Sequence, residues 1–186
     1  MSQNQNKIIL SQERYNTSIK DLLKTKFEIK NVMEIPKISK IVVSTSLGSD
    51  AQDKNYFAAA KNVFRLITGQ ECLSIKAKKS VAAFKVREGM NSGFKVTLRR
   101  ENMYNFIDRL VYINLPRIKD FKGFSKKAVD SSFSFNIGIR DCTVFHEVDY
   151  GMISRPFGFS ITFHIENSKS VEQTCELLKE FQIPVK

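Results

Sequence analysis

The chain has 186 residues, long enough for one well-buried core, and it has no Pro-, Gly- or Ser-rich linker where a second domain would begin. Thirty Lys and Arg residues oppose nineteen Asp and Glu, so the net charge is +11 and the pI is about 9.6. This excess favours a polyanionic partner. Nucleic acid is favoured over a membrane surface, since no apolar run approaches the roughly eighteen residues of a spanning helix. We therefore expect one domain over residues 1–186, with no membrane role.

Cysteine usage and the start of the chain bear on the compartment. Cys72, Cys142 and Cys175 are far apart and lack paired metal-ligand spacing, which predicts buried thiols in a reducing interior. Residues 1–10 are expected to form a polar N-terminal extension, since Met1–Lys7 has neither the apolar centre of a secretory signal nor the Arg-rich amphipathicity of a transit peptide. Many Asn, Lys, Ile and Phe residues without Trp are typical of an AT-rich genome, in an organelle or a bacterium.

The first half of the chain alternates helical and extended patterns. Apolar residues recur at helical spacing over Glu13–Phe27 and predict an amphipathic first helix. Alternation over Ile38–Leu47, with its Ile-Val-Val run, predicts a strand. Ser49 and Gln52 have the spacing of a capping box, so the next helix is expected to begin there and to end at Gly69.

A basic loop follows between two short strand candidates, Leu73–Ala77 and Gly93–Arg99, which makes it the tip of a long hairpin. Against the single acid Glu88 it carries five cations: Lys76, Lys78, Lys79, Lys85 and Arg87. Clustered cations repel one another unless an anion lies between them. RNA phosphate is the favoured anion, because counterion release drives its binding. The alternative is a solvated charged loop without a partner.

The second half adds a second basic segment to further helices and strands. Periodicity predicts, in order, a helix over Asn102–Leu115 that ends before Pro116, the basic segment Arg117–Lys127, strands over Phe133–Arg140 and Phe159–Glu166, and a helix over Ser168–Phe181. The predicted fold class is α+β, with a mainly antiparallel sheet, helices packed on one face and a long basic hairpin loop.

Motifs for catalysis are scarce. The chain has no Gly-rich phosphate loop, no nucleophile elbow and no zinc-type spacing, and its only histidines are His146 and His164. Glu147 and Asp149 could point the same way from an extended segment and hold Mg²⁺ for phosphodiester cleavage. In so basic a chain such acids more often pair with Arg or Lys. We therefore expect no catalytic residue, no metal and no cofactor, and His164, on an alternating strand, is expected to be a core or surface histidine and not a ligand.

The fifteen phenylalanines divide into two predicted groups. Phe64, Phe106 and Phe163 fall on apolar helix or strand positions and are expected in the core. Phe84 and Phe121 lie within basic segments and are the better candidates for stacking on unpaired bases.

Several segments together resemble a known family. In chain order they are Asn31-Val32-Met33, Pro36-Lys37-Ile38, Leu66-Ile67-Thr68-Gly69-Gln70, Lys76-Ala77-Lys78-Lys79-Ser80, Phe84-Lys85-Val86-Arg87-Glu88-Gly89, Lys95-Val96-Thr97-Leu98-Arg99, Met103-Tyr104, Asp108-Arg109-Leu110, Leu115-Pro116-Arg117, Asp120-Phe121 and Glu147-Val148-Asp149-Tyr150. Collinear from about Asn31 to Pro184, they resemble the bacterial-type ribosomal protein L5 family, whose members bind 5S rRNA in the central protuberance of the large subunit.

The resemblance implies a non-enzymatic, single-domain α+β protein that binds 5S rRNA and a neighbouring helix of the large rRNA and is not a homo-oligomer. It also implies that the loop over residues 76–92 contacts tRNA in the peptidyl site, and that the protein bridges to a small-subunit head protein. The 5S contacts would involve a turn over Val43–Gly48. The candidate rRNA-binding residues are Lys37, Ser44, Thr45, Ser46, Gly48, Gln70, Lys95, Thr97, Arg99, Arg117, Lys119 and Lys122. The candidate tRNA-contacting residues are Lys76, Lys78, Lys79, Ser80, Phe84, Lys85 and Arg87.

The chain departs from the family pattern at four places. Ser44-Thr45-Ser46-Leu47-Gly48 replaces the usual Asn-Met-Gly-Val-Gly, and Asp130-Ser131-Ser132-Phe133-Ser134 replaces Asp-Gly-Arg-Gly-Asn. Phe157 stands where an Arg is usual and Arg100 where a glycine is common. The two missing arginines imply altered or reduced RNA contacts. With the AT-type composition, these changes favour a mitochondrial ribosome over one in the bacterial cytoplasm, and the partner RNA is 5S rRNA or its remnant.

Two other classes of function stay open on the sequence. A free-standing RNA-binding module, acting as a chaperone or regulator away from the ribosome, would have the same charge and fold. A metal-dependent nuclease would use Glu147 and Asp149.

Overall fold

The computed structural model describes residues 11–118 and 121–186; the predicted extension over residues 1–10, together with Lys119 and Asp120, lies outside the described residues. Five strands form one antiparallel sheet in the order β2-β3-β1-β5-β4. The strands are β1 Lys37–Ser46, β2 Leu73–Lys76, β3 Asn91–Leu98, β4 Phe135–Ile139 and β5 Phe159–Glu166. The α-helices are α1 Ser11–Arg14, α2 Lys20–Lys26, α3 Lys54–Thr68, α4 Arg100–Arg109 and α5 Val171–Glu180. The α+β prediction is confirmed.

One face of the sheet is buried. The cross-strand rows Leu98–Ile41–Phe163–Phe135 and Val96–Val43–Ile161–Ile137 are all apolar and buried. The helices supply the other side of this core, with Phe64, Ile67, Phe106 and Leu178 almost fully buried. Because strand side chains alternate between faces, the intervening residues form a second face. No helix within residues 11–118 and 121–186 covers it, and we call it the helix-free face.

The predicted core side chains are where the sequence placed them. Phe64, Phe106 and Phe163 are fully buried. The three cysteines are buried free thiols, and burial raises the pKa of each. A buried thiol with a raised pKa stays protonated and unreactive, as expected for a structural role.

No helix within residues 11–118 and 121–186 has the length and apolar character needed to cross a membrane.

Two predicted helix ends are wrong in detail. Helix α3 is capped by Asp53, whose carboxylate accepts hydrogen bonds from the backbone of Asn55 and Tyr56, and not by Ser49. The predicted capping box lies within a separate 3₁₀ turn, Gly48–Gln52, and Asp53, which directly precedes the first helical residue, occupies the N-cap position instead. The second error is at the end of the helix predicted to stop before Pro116. Helix α4 is followed directly by a π-helical segment, Leu110–Asn114, and by a 3₁₀ turn that contains Pro116.

Arg100, which stands where the family pattern commonly has glycine, has a φ of +52° and an exposed side chain. A left-handed conformation costs a residue with a Cβ about 1–2 kcal/mol, partly offset by the greater unfolded-state freedom of glycine. We expect Arg100→Gly to raise the free energy of unfolding by up to about 1 kcal/mol, measured by urea denaturation. Arg99→Gly, next to it at φ −141°, is the control and should be destabilising. A loss of stability in Arg100→Gly would contradict the argument.

Candidate nucleic-acid interface

Small polar side chains dominate the helix-free face. Its central cross-strand rows are Thr97–Val42–Thr162–Asn136 and Lys95–Ser44–Ser160–Gly138. Lys40 and His164 form the next row towards the start of β1. Hydroxyl and amide groups can both donate and accept hydrogen bonds, and short side chains let another backbone come close. None of the residues in the two central rows is aromatic, so the centre of this face suits a sugar-phosphate backbone better than stacked bases.

The end of this face near Ser46 is hollow. A shallow cavity of about 350 Å³ is lined by Ser44–Ser46, Gly138–Arg140 and Gly158–Ser160. A second, of about 330 Å³, shares Ser44–Ser46 and Ser160 and extends to Gly93. Gly138 contributes backbone without a side chain to the first cavity, and a Cβ there would meet no atom within 4 Å, which leaves room for a ligand at this end of the sheet.

The predicted turn over Val43–Gly48 is wrong for its first four residues, which belong to β1. Ser44 and Ser46 lie on the helix-free face, whereas Thr45 is turned to the core side. Thr45 is only 7% exposed, and its hydroxyl donates to the carbonyl oxygen of Gly158 at 2.7 Å. Gly48, with a φ of +58°, begins the following 3₁₀ turn.

Of the other residues predicted to bind rRNA, Lys95 and Thr97 lie in the central rows of the helix-free face, and the rest lie beside this face or in other parts of the structure. Lys95 and Arg99 are exposed, and Thr97 is half-buried between them. Gln70 is partly committed to the fold, since its Nε2 donates to the carbonyl oxygen of Thr97 at 3.3 Å. Lys37 is exposed and forms an ion pair with Glu166 at 3.4 Å.

The basic loop, residues 76–92, is a hydrogen-bonded extension of the β2–β3 hairpin. Val81 and Val86 form an antiparallel bridge, and the backbone of Ala77 bonds to Met90 and Gly89. Gln52, from the turn before α3, donates from Nε2 to the carbonyl oxygen of Lys85. This network shapes the loop and ties it to the body of the protein.

The side chains of the basic loop face solvent. Phe84 is 69% exposed beside Lys85, as a stacking residue must be. Other exposed side chains include Lys76, Lys78, Lys79, Ser80, Lys85 and Arg87. Within residues 11–118 and 121–186, neither Arg87 nor any of the lysines in this list forms an ion pair. The predicted surplus of unpaired positive charge at the hairpin tip is confirmed for the described residues.

The second basic segment forms backbone hydrogen bonds with the C-terminal residues of the chain. Phe124 forms a parallel bridge with Val185, and Lys126 donates its backbone N–H to the carbonyl oxygen of Lys186 at 3.2 Å. Phe121 packs on Phe124 with ring centroids 5.0 Å apart, so its predicted stacking surface is partly used within the protein. Among the described residues of the segment, the exposed cations are Arg117, Lys122, Lys126 and Lys127.

Comparison with known families agrees with this geometry. Residues 31–87 match the family described as ribosomal protein L5, and residues 91–185 match the family described as the C-terminus of the ribosomal L5 proteins. The chain belongs to the ribosomal protein L5 family. Members are structural RNA-binding proteins, so this chain is a structural protein of the large ribosomal subunit that binds rRNA. Strands from both matched segments pair in the one sheet, where β3 lies between β1 and β2.

The departures from the L5 family pattern have local structural explanations. Phe157, in place of an arginine, is 6% exposed and is part of the core. Phe133, in place of a glycine, keeps a φ of +59°, and Asp130 holds this turn by accepting hydrogen bonds from Ser132 and Ser134. The turn thus keeps a tight shape without a basic side chain.

The two acids that are candidates for metal binding have different surroundings. Glu147 lies 2.6 Å from the guanidinium of Arg109, whereas Asp149 is exposed. The described residues contain no group of three or more His, Cys, Asp or Glu side chains able to hold a metal. The ion pair agrees with the expectation that an acid in so basic a chain pairs with Arg or Lys.

The pairing of Lys40 with His164 was not predicted from the sequence. The two residues are opposite each other on β1 and β5, and His164 is half-buried on the helix-free face. The alternation of apolar and polar residues along β5 indicates which face of the sheet His164 lies on. The identity of its neighbour depends on strand order, which no local pattern encodes.

Proposed function

We propose that this L5 family member binds 5S rRNA, or its remnant, through the helix-free face, and contacts P-site tRNA through the basic loop while bridging to a small-subunit head protein. The observation that carries the proposal is the family membership of a chain whose sheet leaves one polar face without helices. The proposed rRNA-binding residues are Lys37, Ser44, Ser46, Gly48, Gln70, Lys95, Thr97, Arg99, Arg117 and Lys122. Thr45 is left out because it faces the core.

The chemistry of the helix-free face supports recognition of RNA by shape and backbone. Ser44, Thr97 and Ser160 offer hydroxyls that can exchange hydrogen bonds with ribose 2′-OH groups, and Lys95 offers a charge to phosphate. Such contacts fix position and distinguish RNA from DNA without reading base sequence. A folded RNA of defined shape is the ligand such a surface fits best.

The proposal includes one domain over residues 1–186, no catalytic activity and a mitochondrial ribosome. One sheet shared by the two family-matched segments supports a single domain. The pairing of Glu147 with Arg109 supports the absence of catalysis, and incubation of the protein with labelled RNA and Mg²⁺ is expected to leave the RNA intact. Composition and the missing arginines support the mitochondrial origin.

Sedimentation in a sucrose gradient tests the proposal against a free RNA-binding module. We expect the protein to travel with the large subunit at close to one copy per particle, and crosslinks from Ser44 and Thr97 to map to 5S rRNA. Recovery of the protein only at the top of the gradient would favour the chaperone or regulator. Crosslinks confined to the large rRNA would reject the 5S contact and keep the ribosomal role.

The second basic segment gives a salt-dependence prediction. Replacing both Arg117 and Lys122 by Gln is expected to flatten the slope of log Kd for rRNA against log salt by about 0.7 to 0.9 for each phosphate that is no longer neutralised. Filter binding at several salt concentrations measures it. The control pair Lys24→Gln and Lys54→Gln removes the same charge from exposed positions in α2 and α3. An unchanged slope in the Arg117 and Lys122 variant would remove this segment from the interface.

A further inference from the structure

The environment of His164 combines three features that bear on anion binding. His164 is directly opposite Lys40 across β1 and β5, so their Cα atoms are separated by about 5 Å. A β-bulge interrupts β1 between Ile38 and Lys40, and Ser39 Oγ there donates to the carbonyl oxygen of His164 at 3.2 Å. The pair is therefore held in register on the helix-free face.

The imidazole has one nitrogen engaged within the protein. Ser134 Oγ lies 3.3 Å from His164 Nδ1, so Nε2 is the nitrogen that can meet a ligand. A protonated imidazole donates from both nitrogens, to Ser134 Oγ through Nδ1 and to an incoming oxygen through Nε2. Lys40 provides a second cation for the same oxygen group.

The neighbouring charges come from four parts of the structure. Lys40 on β1 and Lys95 on β3 are cationic, and Asp130 in the turn before β4 is anionic. Glu166, which lies on β5 with His164, is paired with Lys37. Burial lowers the pKa of His164. The positive charges of Lys40 and Lys95 lower this pKa further, whereas the negative charge of Asp130 raises it. Hydrogen bonds, chiefly from Ser132, lower the pKa of Asp130, so it stays ionised while His164 titrates. The free protein at neutral pH therefore holds His164 uncharged.

We propose that Lys40 and His164 form a phosphodiester-binding site on the helix-free face, in which RNA binding is accompanied by protonation of His164. The site rests on the proposed function, because it assigns an RNA phosphate to a face that is proposed to bind rRNA. It supplies a cation beside the Asp130–Ser134 turn, which has no basic side chain of its own.

The direction of the pH effect follows from charge. A phosphate beside His164 favours the imidazolium, so the complex takes up a proton from solvent and binding tightens as pH falls. A partly exposed charge pair corresponds to about a two- to fivefold change in Kd. This change should occur between about pH 8 and about pH 5.5, where histidine titrates.

Filter binding of a 5S rRNA transcript at constant ionic strength tests the site. The wild-type protein should bind about two- to fivefold more tightly at the lower pH. His164→Gln should lose this difference, and His164→Lys should bind at both pH values as the wild type does at the lower one. His146→Gln, altered at an exposed position after the Cys142–Val144 turn, is the matched control and should keep the wild-type dependence.

The outcomes separate this site from the function on which it rests. Equal pH dependence in wild type and His164→Gln would overturn the site and leave RNA binding in place, whereas no RNA binding at any pH would overturn both. An NMR titration of the imidazole in the His146→Gln background gives a readout that needs no His164 variant. The pKa of His164 is expected to rise on RNA binding, and an unchanged pKa would reject the site.

Discussion

Replacing Gly93 by alanine is expected to lower the free energy of unfolding by about 3 kcal/mol or more, at the upper end of what overpacking costs. Gly93 is in β3, between Ser46 of β1 and Ile75 of β2. A Cβ at this position would lie 2.0 Å from the carbonyl oxygen of Thr45. The obstacle is backbone within a strand pair, so relief requires β1 and β3 to separate and lose ladder hydrogen bonds. The shift in urea midpoint at unchanged m-value measures the loss.

Gly138 provides a matched control on the same sheet. It lies in β4 on the helix-free face, and a Cβ there would meet no atom within 4 Å. Gly138→Ala should therefore be neutral or stabilise the protein by about 0.5 kcal/mol, since alanine loses less conformational freedom on folding. Similar losses in both variants would show that the close approach of β1 to Gly93 does not limit stability.

The elements of this fold could largely be predicted, because their patterns are local. The strand predicted at Phe159–Glu166 has those bounds in the structure, since alternation of apolar and polar residues directly encodes a half-buried strand. The start of α3 was wrong because two capping signals compete within five residues, and Asp53 adjoins the helix while Ser49 does not. The π-helical segment Tyr15–Ile19 has the same apolar spacing as an ordinary helix and leaves no separate trace in the sequence.

The interface was only partly predictable, for reasons of geometry. Alternation indicates that Ser160 and Thr162 share a face, but pairing across strands depends on a sheet order that brings distant segments together. The partnership of Lys40 with His164 arises in this way. Thr45 illustrates the limit of a motif resemblance, which predicted it as an rRNA-binding residue, whereas strand alternation directs its side chain to the core.

Neutralising the basic loop is the second large effect we expect. Replacing Lys78, Lys79 and Lys85 together by Gln should weaken tRNA binding to the ribosomal P site by about tenfold or more, since each exposed charge pair contributes up to about 1 kcal/mol. The three side chains are exposed, and the loop backbone that carries them is held by the Val81–Val86 bridge. The substitutions therefore remove charge and leave the hydrogen bonds that shape the loop in place. Filter binding of tRNA to ribosomes containing the variant measures the change.

Three features of the result would identify a direct contact between the loop and tRNA. The salt slope of tRNA binding should flatten by about 2 to 3, one step of about 0.7 to 0.9 for each phosphate that a lysine no longer neutralises. Incorporation of the variant into the large subunit should be unchanged, because the loop is separate from the helix-free face proposed for rRNA. A control with Lys24, Lys30 and Lys54 replaced by Gln removes the same charge elsewhere and should keep its tRNA affinity. Unchanged tRNA affinity in the loop variant would mean that the loop cations bind a different anion.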